Sequence, residues 1–382
     1  MLDKYRKQID KIDAKFVKLF EKRMDVAKKV GEYKKERNME IFVADREKAI
    51  LKKRTSQIKN PEYIKYAADF FENVMRISRN LQSRIVGAKS SGEVKGADFD
   101  DENLKVAYPG IAGSYSGEAL KAFFKNVKNV TNTATFDEVA ELVSEGSVDY
   151  GVLPFENNSS GAIADTLDLI ISHKLHIAGE LSIDIKHCLL GTQDCEVSDI
   201  EEIYSHNQGF LQSRAYLDTL GEIRCVPLDN TAFAAKFVAE CKNKAKAAIA
   251  SKLAAETYGL KILKEDINEN SSNSTRFVIV SNKLTSDSSC DKISAIFTTR
   301  HKSGALCDVL ALFAQNSINI SHIESRPLKE RNFEYVFHID FEGNLADKNV
   351  ISTISQIESL GAEFTVLGNY KSQINKERRK YE

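Results

Sequence analysis

Residues 151–162 read GVLPFENNSSGA, and this stretch decides the fold of the middle of the chain. The apolar run from Gly151 to Phe155 has the length and composition of a buried β-strand. From Glu156 onward the chain passes into small polar side chains and a glycine, which indicate a loop. Because α/β proteins bind ligands in the loops at strand ends, the stretch predicts one wall of a polar site in an α/β domain.

Polar residues mark one end of a β-like run in three further stretches: Tyr108–Ser116 (YPGIAGSYS), Tyr204–Phe210 (YSHNQGF) and Asn273–Val278 (NSTRFV). The first of them follows a strand and opens a helix, which suggests an anion site made of backbone N–H groups. Its glycine spacing is not that of a dinucleotide-binding fingerprint. Taken singly, each stretch is explained better by ordinary turn chemistry than by a functional site.

The pattern of apolar and polar residues changes at two polar segments, residues 87–103 and 282–291. Between them β-like runs alternate with helical segments, which is the α/β pattern. After the second polar segment the order is βαββαβ, which predicts a ferredoxin-like α+β domain. We therefore predict a helical domain at 1–88, a linker at 89–103, an α/β domain at 104–283 and an α+β domain at 292–370.

The N-terminal segment has a helical pattern. Apolar residues recur in alternating steps of three and four from Leu2 to Tyr33, which predicts one long amphipathic helix. A second helix is predicted over residues 45–58, and Asn60-Pro61 supplies the cap and first-turn proline of a third. A single copy would leave an apolar stripe uncovered, so we expect a homodimer or homotetramer.

Polar side chains interrupt the apolar stripes of the first and third helices at Arg23, Ser78 and Gln82. Buried polar groups need partners, so these residues lie at a solvated edge, form internal salt bridges or enclose a polar ligand. Arg23 and Lys34 are about three turns apart on nearly one face, and both could reach one small anion. Arg6 lies about 25 Å before Arg23 along a straight helix and about 100° around it. It could serve only a pocket of the partner subunit.

The composition is that of an ordinary globular protein. The chain has 382 residues, 42% of them apolar, and a net charge of −1, which gives no support for nucleic acid or membrane as a partner. None of the six cysteines has CxxC spacing, and no histidine is placed for a zinc site. We predict no metal and no cofactor. The charged N-terminus shows no signal peptide, which predicts a cytoplasmic protein with reduced thiols.

The polar positions of the first 86 residues, taken together, resemble those of the all-helical chorismate mutases. That resemblance implies the rearrangement of chorismate to prephenate, in which the enzyme holds a compact conformer and stabilises charge on the ether oxygen. Val43 departs from the family, which often has an acidic residue there. The implied roles are carboxylate binding by Arg23 and the partner subunit's Arg6, ether-oxygen contacts from Lys34 and Gln82, a hydroxyl contact from Glu47, and electrostatic support from Arg46 and Ser78.

The four polar stretches of the middle segment resemble the prephenate dehydratases from about Leu104 to Lys283. That family carries G-x-x-G-[ST]-Y-[ST], P-x-E-N-x-x-x-G, S-H-P-Q and T-R-F in this order, and this chain has all four with Asn207 in place of the proline. The resemblance implies two α/β subdomains around a cleft, similar to periplasmic binding proteins. It also implies conversion of prephenate to phenylpyruvate, water and carbon dioxide.

Residue roles follow from the same resemblance. Thr275 is expected to contact the leaving hydroxyl, and His206 and Glu156 are candidates to supply or relay the proton. Arg276 is expected to pair with a substrate carboxylate. The remaining polar residues expected around the substrate are Asn157, Ser159, Ser160, Ser205 and Gln208.

Two stretches of the last segment resemble the ACT domains of phenylalanine-regulated dehydratases. One is the turn Gly304-Ala305-Leu306, and the other is the strand end Glu324-Ser325-Arg326-Pro327. Such domains bind an amino acid between paired copies, so the resemblance implies L-phenylalanine as an effector at these two stretches. Cys307 stands where the family often has valine.

Three interpretations of the whole chain remain. The first is an enzyme with both activities and feedback inhibition. The second is a binding module without catalysis, against which stand Thr275, Arg276 and His206. The third keeps the dehydratase and makes the basic N-terminal helices a dimerisation arm. Arogenate is an alternative substrate in the interpretations that keep the dehydratase.

Overall fold

The computed structural model describes residues 1–37, 39, 43–86, 96–159, 161–270, 272–300, 303–327 and 335–373. Ser160, one of the predicted site residues, lies outside these ranges. The chain divides into two compact units, Met1–Glu93 with Ala295–Val366 and Val94–Ser294 with Leu367–Glu382. Each unit is described by itself.

The N-terminal segment is helical, as predicted. It consists of α1 (Leu2–Glu36), α2 (Ala44–Thr55), a 3-10 turn (Pro61–Tyr63) and α3 (Ile64–Val86). The Asn60 side chain accepts from the backbone N–H of Glu62 at 3.1 Å, so the predicted cap is present, although the first turn is 3-10. Gly31 lets α1 approach α3 closely, because a Cβ there would lie 3.2 Å from the Cα of Gln82.

The N-terminal half of α1 carries an exposed apolar stripe. Leu2, Tyr5, Ile9 and Ile12 follow its three-and-four spacing, and each is more than half exposed. Soluble monomers rarely expose contiguous apolar surface of this kind.

The middle of the chain forms two α/β lobes. Lobe 1 is built on a sheet of strand order β2-β1-β3-β11-β5, with β4 paired to β3. Its core contains Val106, Val152 and Phe277. The elements of lobe 1 are β1 (Lys105–Pro109), α4 (Tyr115–Phe123), β2 (Asn129–Thr133), α5 (Phe136–Ser144), β3 (Tyr150–Asn157), β4 (Gly161–Ala162), α6 (Ala164–Ser172), β5 (His176–Asp184) and β11 (Ser274–Ser281).

Lobe 2 is built on a sheet of order β10-β6-β9-β7-β8. Its elements are β6 (Cys188–Gly191), β7 (Glu202–Ser205), α7 (Asn207–Gln212), α8 (Arg214–Leu217), β8 (Arg224–Pro227), α9 (Thr231–Cys241), β9 (Lys246–Ala250), α10 (Lys252–Tyr258) and β10 (Lys261–Lys264), with 3-10 turns at Val197–Asp199 and Asp218–Leu220. The chain crosses between the lobes after β5 and again before β11. Asn268 joins the two crossings, because its Oδ1 accepts from the backbone N–H of His187 at 2.6 Å and its Nδ2 donates to the carbonyl of Ile185 at 2.9 Å.

The last segment has the predicted βαββαβ order. Its elements are β12 (Lys292–Thr298), α11 (Ala305–Gln315), β13 (Ile320–Pro327), β14 (Tyr335–Glu342), α12 (Lys348–Ser359) and β15 (Phe364–Tyr370). The strand order β13-β14-β12-β15 places β13 at one edge of the sheet. The predicted fold classes of all three segments are confirmed. Within the described ranges, no helix is both long enough and apolar enough to span a membrane.

Candidate active sites

A cavity of about 220 Å³ lies among the three N-terminal helices. Six of the seven residues predicted for the helical site line it: Arg23, Lys34, Arg46, Glu47, Ser78 and Gln82. The other lining residues are Val26, Ala27, Val30, Val43, Ile50, Met75 and Arg79. Residues that are far apart in the sequence therefore meet at one polar cavity, whose other lining residues are apolar except for Arg79.

Arg23 is held in place by α3. Its Nη1 donates to the Val74 carbonyl at 3.0 Å and also to the Ser78 hydroxyl. The Ser78 hydroxyl in turn donates to the Val74 carbonyl at 2.8 Å. An arginine whose position is fixed in this way needs little further ordering to bind a carboxylate.

Arg79 was missed by the sequence analysis. It forms an ion pair with Glu47, which joins α3 to α2 beside the cavity. The signal was present in the sequence, because Met75, Ser78, Arg79 and Gln82 have the i, i+3, i+4, i+7 spacing of one helix face and all line the cavity.

Positive charge dominates the helical cavity. Its lining contains four cationic side chains, Arg23, Lys34, Arg46 and Arg79, and one carboxylate, Glu47. Burial, and then the nearby Arg46, lower the pKa of Lys34, while Glu47 partly offsets them. Burial also lowers the pKa of Arg23. In the described part of the chain, Oε1 of Gln82 is buried without a hydrogen-bond partner. The cavity is therefore suited to a small dianion with further polar atoms.

Arg6 does not line this cavity. Its side chain is 67% exposed and pairs with Asp3 at 3.5 Å, near the exposed apolar stripe of α1. This placement agrees with the prediction that Arg6 cannot act in the pocket of its own chain.

A second cavity, of about 410 Å³, is lined by residues of both α/β lobes and draws on all four polar stretches. Its lining includes four of the predicted site residues, Asn157, His206, Gln208 and Thr275, and also Ser114 at the start of α4. The remaining lining residues are Pro109, Gly110, Tyr115, Ser116, Ala134, Phe136, Pro154, Ile163, Ile185, His187, Gly209, Gln212, Asp229, Asn230, Thr231 and Phe277.

Thr275 and Asn157 are cross-strand neighbours on β11 and β3. The backbone N–H of Ser159 donates to Oδ1 of Asn157 at 2.9 Å, which identifies Nδ2 as the other end of the amide. That Nδ2 lies 2.9 Å from Oγ1 of Thr275 and donates to it. Because the Thr275 oxygen accepts this bond, its own hydrogen is available to point into the cavity.

A hydrogen-bonded relay of four more residues adjoins this pair, and the sequence analysis assigned a role to none of them. Asn157 Nδ2 donates to Oδ1 of Asn273 at 2.9 Å, and Asn273 Nδ2 donates to Oε1 of Gln212 at 3.0 Å. His187 Nε2 lies 2.9 Å from the same Gln212 oxygen, and His187 Nδ1 lies 3.0 Å from the Tyr115 hydroxyl. Gln212 was detectable, since it stands at i+4 from Gln208 on α7.

The two histidines of the cavity differ in their hydrogen bonds. Both ring nitrogens of His187 face relay partners, and burial lowers its pKa. His206 caps α7, because its Nδ1 accepts from the backbone N–H of Gln208 at 3.2 Å. A ring held in this way carries its hydrogen on Nε2. His206 is therefore a hydrogen-bond donor from Nε2.

No lysine or arginine is among the described residues that line the second cavity. Several helices instead begin there, among them α4 at Tyr115 and α9 at Thr231, with Ser114 and Asn230 as their side-chain caps. Helix N-termini attract anions through their N–H groups and dipoles. Asp229 supplies the lining carboxylate.

Three predicted catalytic residues do not line the cavity. Arg276 and Glu156 alternate with Thr275 and Asn157 along β11 and β3, so they occupy the opposite face of the sheet. Ser205 is fully buried, and its hydroxyl donates to the Ile249 carbonyl at 2.9 Å, where it fixes β7 beside β9. Ser159 is not a lining residue either and acts on Asn157 through its backbone N–H.

Arg276 belongs to a buried charge cluster, which we define as Glu180, Arg276, Lys292, Tyr370 and Ser372. Nε of Arg276 lies 2.8 Å from the fully buried Glu180 carboxylate, and Nζ of Lys292 lies 2.9 Å from it. Arg276 Nη2 also donates to the Tyr370 hydroxyl at 3.0 Å, and the Ser372 hydroxyl donates to Glu180 at 2.8 Å. The guanidinium predicted to bind substrate therefore lies on the face of β11 that is turned away from the second cavity.

The residues predicted to contact the effector lie at the start of α11 and at the end of β13. Gly304 caps α11 with φ +81°, a left-handed conformation that favours glycine, and Ala305 and Leu306 form the first turn. Glu324, Ser325, Arg326 and Pro327 end the edge strand β13, where Arg326 pairs with Glu324 at 3.4 Å. Across the described ranges, no group of three or more histidine, cysteine or acidic side chains is arranged to hold a metal.

The folds and cavities, together with matches to three family models, define a chain with two enzyme domains followed by a regulatory domain. Sequence models of three families match it: chorismate mutase type II over residues 5–83, prephenate dehydratase over 106–285 and the ACT domain over 294–359. A bifunctional chorismate mutase/prephenate dehydratase of Aquifex aeolicus is 31% identical over 98% of this chain and 99% of that protein. This chain belongs to the bifunctional chorismate mutase/prephenate dehydratase family.

Two further similarities bear on substrate and effector. Arogenate dehydratase 2 of Petunia hybrida is 34% identical over 74% of this chain and 75% of that protein. A crystal structure of prephenate dehydratase from Arthrobacter aurescens in complex with L-Phe is 29% identical, with a TM-score of 0.64, and the match covers 70% of this chain and 90% of that chain.

Proposed function

We propose that this chain catalyses two consecutive reactions of L-phenylalanine synthesis, chorismate to prephenate in the helical segment and prephenate to phenylpyruvate in the α/β lobes. The observation that carries the proposal is that residues from separate sequence motifs line two polar cavities, one in each segment. The mutase match over residues 5–83 favours an active first domain over a dimerisation arm. A cytoplasmic location remains a prediction from the sequence.

In the mutase step, Arg23 binds one carboxylate of chorismate, and Lys34 and Gln82 face the ether oxygen as its bond breaks. Lys34 and Gln82 both line the cavity, and its cationic lining stabilises the negative charge that develops on that oxygen. Glu47 takes the substrate hydroxyl, while Arg46, Ser78 and Arg79 support the charge balance. A pericyclic rearrangement requires no acid, base or nucleophile, so binding a compact conformer does most of the work.

The mutase site is completed by a second subunit. The exposed apolar stripe at Leu2, Tyr5, Ile9 and Ile12 supplies the contact surface, and the partner subunit's Arg6 binds the other carboxylate. The protein is thus at least a homodimer, and a homotetramer is a further assembly of the same chains.

In the dehydratase step, the bond to the ring carboxylate breaks and carbon dioxide leaves. The electron pair moves through the ring and expels the ring hydroxyl, which takes up one solvent proton and leaves as water. Thr275 donates a hydrogen bond to the departing oxygen, because its own oxygen accepts from Asn157, and His206 is the second donor. The starts of α4 and α9 bind the carboxylates, with Gln208 among the surrounding polar groups.

Arg276 and Glu156 act on this step indirectly. Glu156 lies opposite Arg276 in the β3–β11 register, with its carboxylate 3.7 Å from the guanidinium. We assign both residues to the support of β11 from its far face. Ser159, through its N–H, orients Asn157, and Ser205 fixes the strand before His206. Ser160 is assigned, from its place in the sequence motif, to the polar residues around the substrate.

L-Phenylalanine is the proposed effector of the dehydratase. The turn Gly304–Leu306 and the strand end Glu324–Pro327 would contact it between two paired copies, and the edge position of β13 leaves that strand accessible to a second copy. Coupling of this kind is typically worth about 1–3 kcal/mol.

A coupled assay tests the two activities. The full chain is given chorismate or prephenate, and phenylpyruvate is followed with and without L-phenylalanine. Product from both substrates, reduced by L-phenylalanine, is the expected result. Product from prephenate alone would leave the first domain as a dimerisation arm, and none from either would leave a binding module.

Arogenate is a second candidate substrate. It carries an ammonium group where prephenate has a keto group, and the cavity offers the carboxylate of Asp229 and no described lysine or arginine. Comparison of kcat/KM for the two substrates decides between them. If arogenate is preferred, Asp229→Asn should reduce that preference, while the rate with prephenate changes little.

A further inference from the structure

The hydrogen bonds of the relay have one consistent direction, which a backbone group fixes. A backbone N–H only donates, so the Ser159 N–H forces Oδ1 of Asn157 to accept. Nδ2 of Asn157 can then only donate, and its acceptors are Oδ1 of Asn273 and Oγ1 of Thr275, both at 2.9 Å, and the Ser274 carbonyl at 3.1 Å. Because Oδ1 of Asn273 accepts, its Nδ2 faces Oε1 of Gln212 and donates to it.

The direction continues through His187. The oxygen of Gln212 cannot donate, so Nε2 of His187, at 2.9 Å, must carry a hydrogen. Burial lowers the pKa of His187, so its ring is neutral near pH 7 and Nδ1 accepts from Tyr115 at 3.0 Å. The Tyr115 hydroxyl also lies 2.9 Å from the Lys186 carbonyl, which is a second acceptor for the same hydrogen.

The relay connects both lobes and the crossing between them. Tyr115 begins α4 in lobe 1, His187 lies in the first crossing, and Gln212 ends α7 in lobe 2. Asn273 returns the relay to lobe 1 beside Thr275. Gln212 moves with α7 of lobe 2, whereas Asn273 adjoins β11 of lobe 1. A shift of α7 relative to lobe 1 would therefore break the hydrogen bond between the two side chains.

We infer that Tyr115 and His187 are positioning residues of the dehydratase, which hold Gln212 and Asn273 so that the Thr275 hydroxyl is directed at the substrate. The inference rests on the proposed dehydratase activity. We assign neither residue a proton transfer, because both ring nitrogens of His187 and the hydroxyl of Tyr115 are engaged within the protein. The two residues contribute orientation, and their loss should appear in the rate of the chemical step.

Tyr115→Phe tests this in the full chain with prephenate as the substrate. We expect kcat to fall about tenfold, the size of one lost hydrogen bond, with KM within about twofold. Tyr258→Phe is the matched control. The Tyr258 hydroxyl donates to the Ala112 carbonyl at 2.6 Å and also joins lobe 2 to lobe 1, but it stands outside the relay. Its kcat should stay near that of the natural chain.

Two further readouts separate orientation from general stability. In an Asn273→Ala background the relay is already broken, so adding Tyr115→Phe should cost less than about twofold. Nitrogen NMR of the histidine-labelled chain, assigned with His187→Gln, should show the Nε2–H tautomer of His187 at pH 7. Equal kcat in the two Tyr→Phe variants, full additivity with Asn273→Ala, or an Nδ1–H tautomer would each overturn the inference. A natural chain inactive on prephenate would instead reject the proposed dehydratase activity.

Discussion

Thr275 Oγ1 lies 2.9 Å from Nδ2 of Asn157, its partner across the β3–β11 ladder, and accepts a hydrogen from it. This pairing leaves the threonine hydrogen for the substrate. Thr275→Val keeps the shape and removes the donor, so we expect dehydratase kcat to fall by about 10²–10³. Thr275→Ser keeps a hydroxyl and should stay within about tenfold of the natural rate. Mutase activity in the same samples is the control, and unchanged phenylpyruvate formation by the valine variant would contradict the assignment.

Glu180 is the central anion of the buried charge cluster. Glu180→Gln leaves Arg276 and Lys292 buried without their shared carboxylate, so we expect the free energy of unfolding to fall by about 3–5 kcal/mol. Urea denaturation measures this. Glu102→Gln is the matched control, because its pair with Lys128 is exposed and should be worth less than about 1 kcal/mol. If both variants lost a similar amount of unfolding free energy, the buried charge cluster would stabilise the fold no more than an exposed ion pair does.

Arg6 and Arg23 should complement each other between subunits. Arg6→Ala and Arg23→Ala should each abolish most mutase activity. When the two variants are unfolded together and refolded, half of the dimers are mixed, and each mixed dimer has one intact site. The mixture should therefore regain about a quarter of the natural mutase rate. Recovery no greater than the mean of the two variants would place both arginines in the same chain's site.

Lys34 should give the mutase an alkaline limit. Burial and Arg46 lower the pKa of Lys34 below its ordinary value, and only the protonated amine stabilises charge on the ether oxygen. Activity should thus be present below this lowered pKa and decline as pH rises through it, before an ordinary lysine would titrate. Lys34→Arg should lose rate but also lose this decline, since arginine keeps its proton. A pH–rate profile of kcat for both chains makes the comparison.

Gly304 should be required for sensing rather than for catalysis. Its φ of +81° is strained for any residue with a side chain, although a Cβ there would meet no atom within 4 Å. Gly304→Ala should therefore shift the turn before α11 and weaken L-phenylalanine binding about tenfold or more, while uninhibited dehydratase kcat stays the same. Calorimetry and inhibition curves give the two values. Gly221→Ala, also at positive φ with an open Cβ position, controls for backbone strain elsewhere.

The sequence predicted the residues that face inward from helices better than those on strands. Arg23, Lys34, Ser78 and Gln82 interrupt apolar stripes, and helical spacing was enough to bring them to one cavity. Arg276 was assigned to substrate because it adjoins Thr275 in a motif. Alternation along a strand forbids both from lining the same cavity, and that rule was available from the sequence.

The relay could not be predicted in the same way. His187 lies in the short connection between β5 and β6, and its partners Tyr115 and Gln212 come from different lobes. Their proximity depends on how the chain crosses twice between sheets, which local spacing does not encode. Gln212 alone had a local signal, its helical distance from Gln208.

The buried charge cluster limits where this chain can be divided. A protein cut at residue 283, the predicted end of the dehydratase, would lose Lys292, Tyr370 and Ser372 and keep Glu180 and Arg276. The separated piece would hold the buried Glu180 carboxylate on the far face of the sheet with two of its three partners in the cluster gone. An ACT domain from a relative could therefore replace this one, in evolution or by design, only if the residues at all five cluster positions remain compatible with one another.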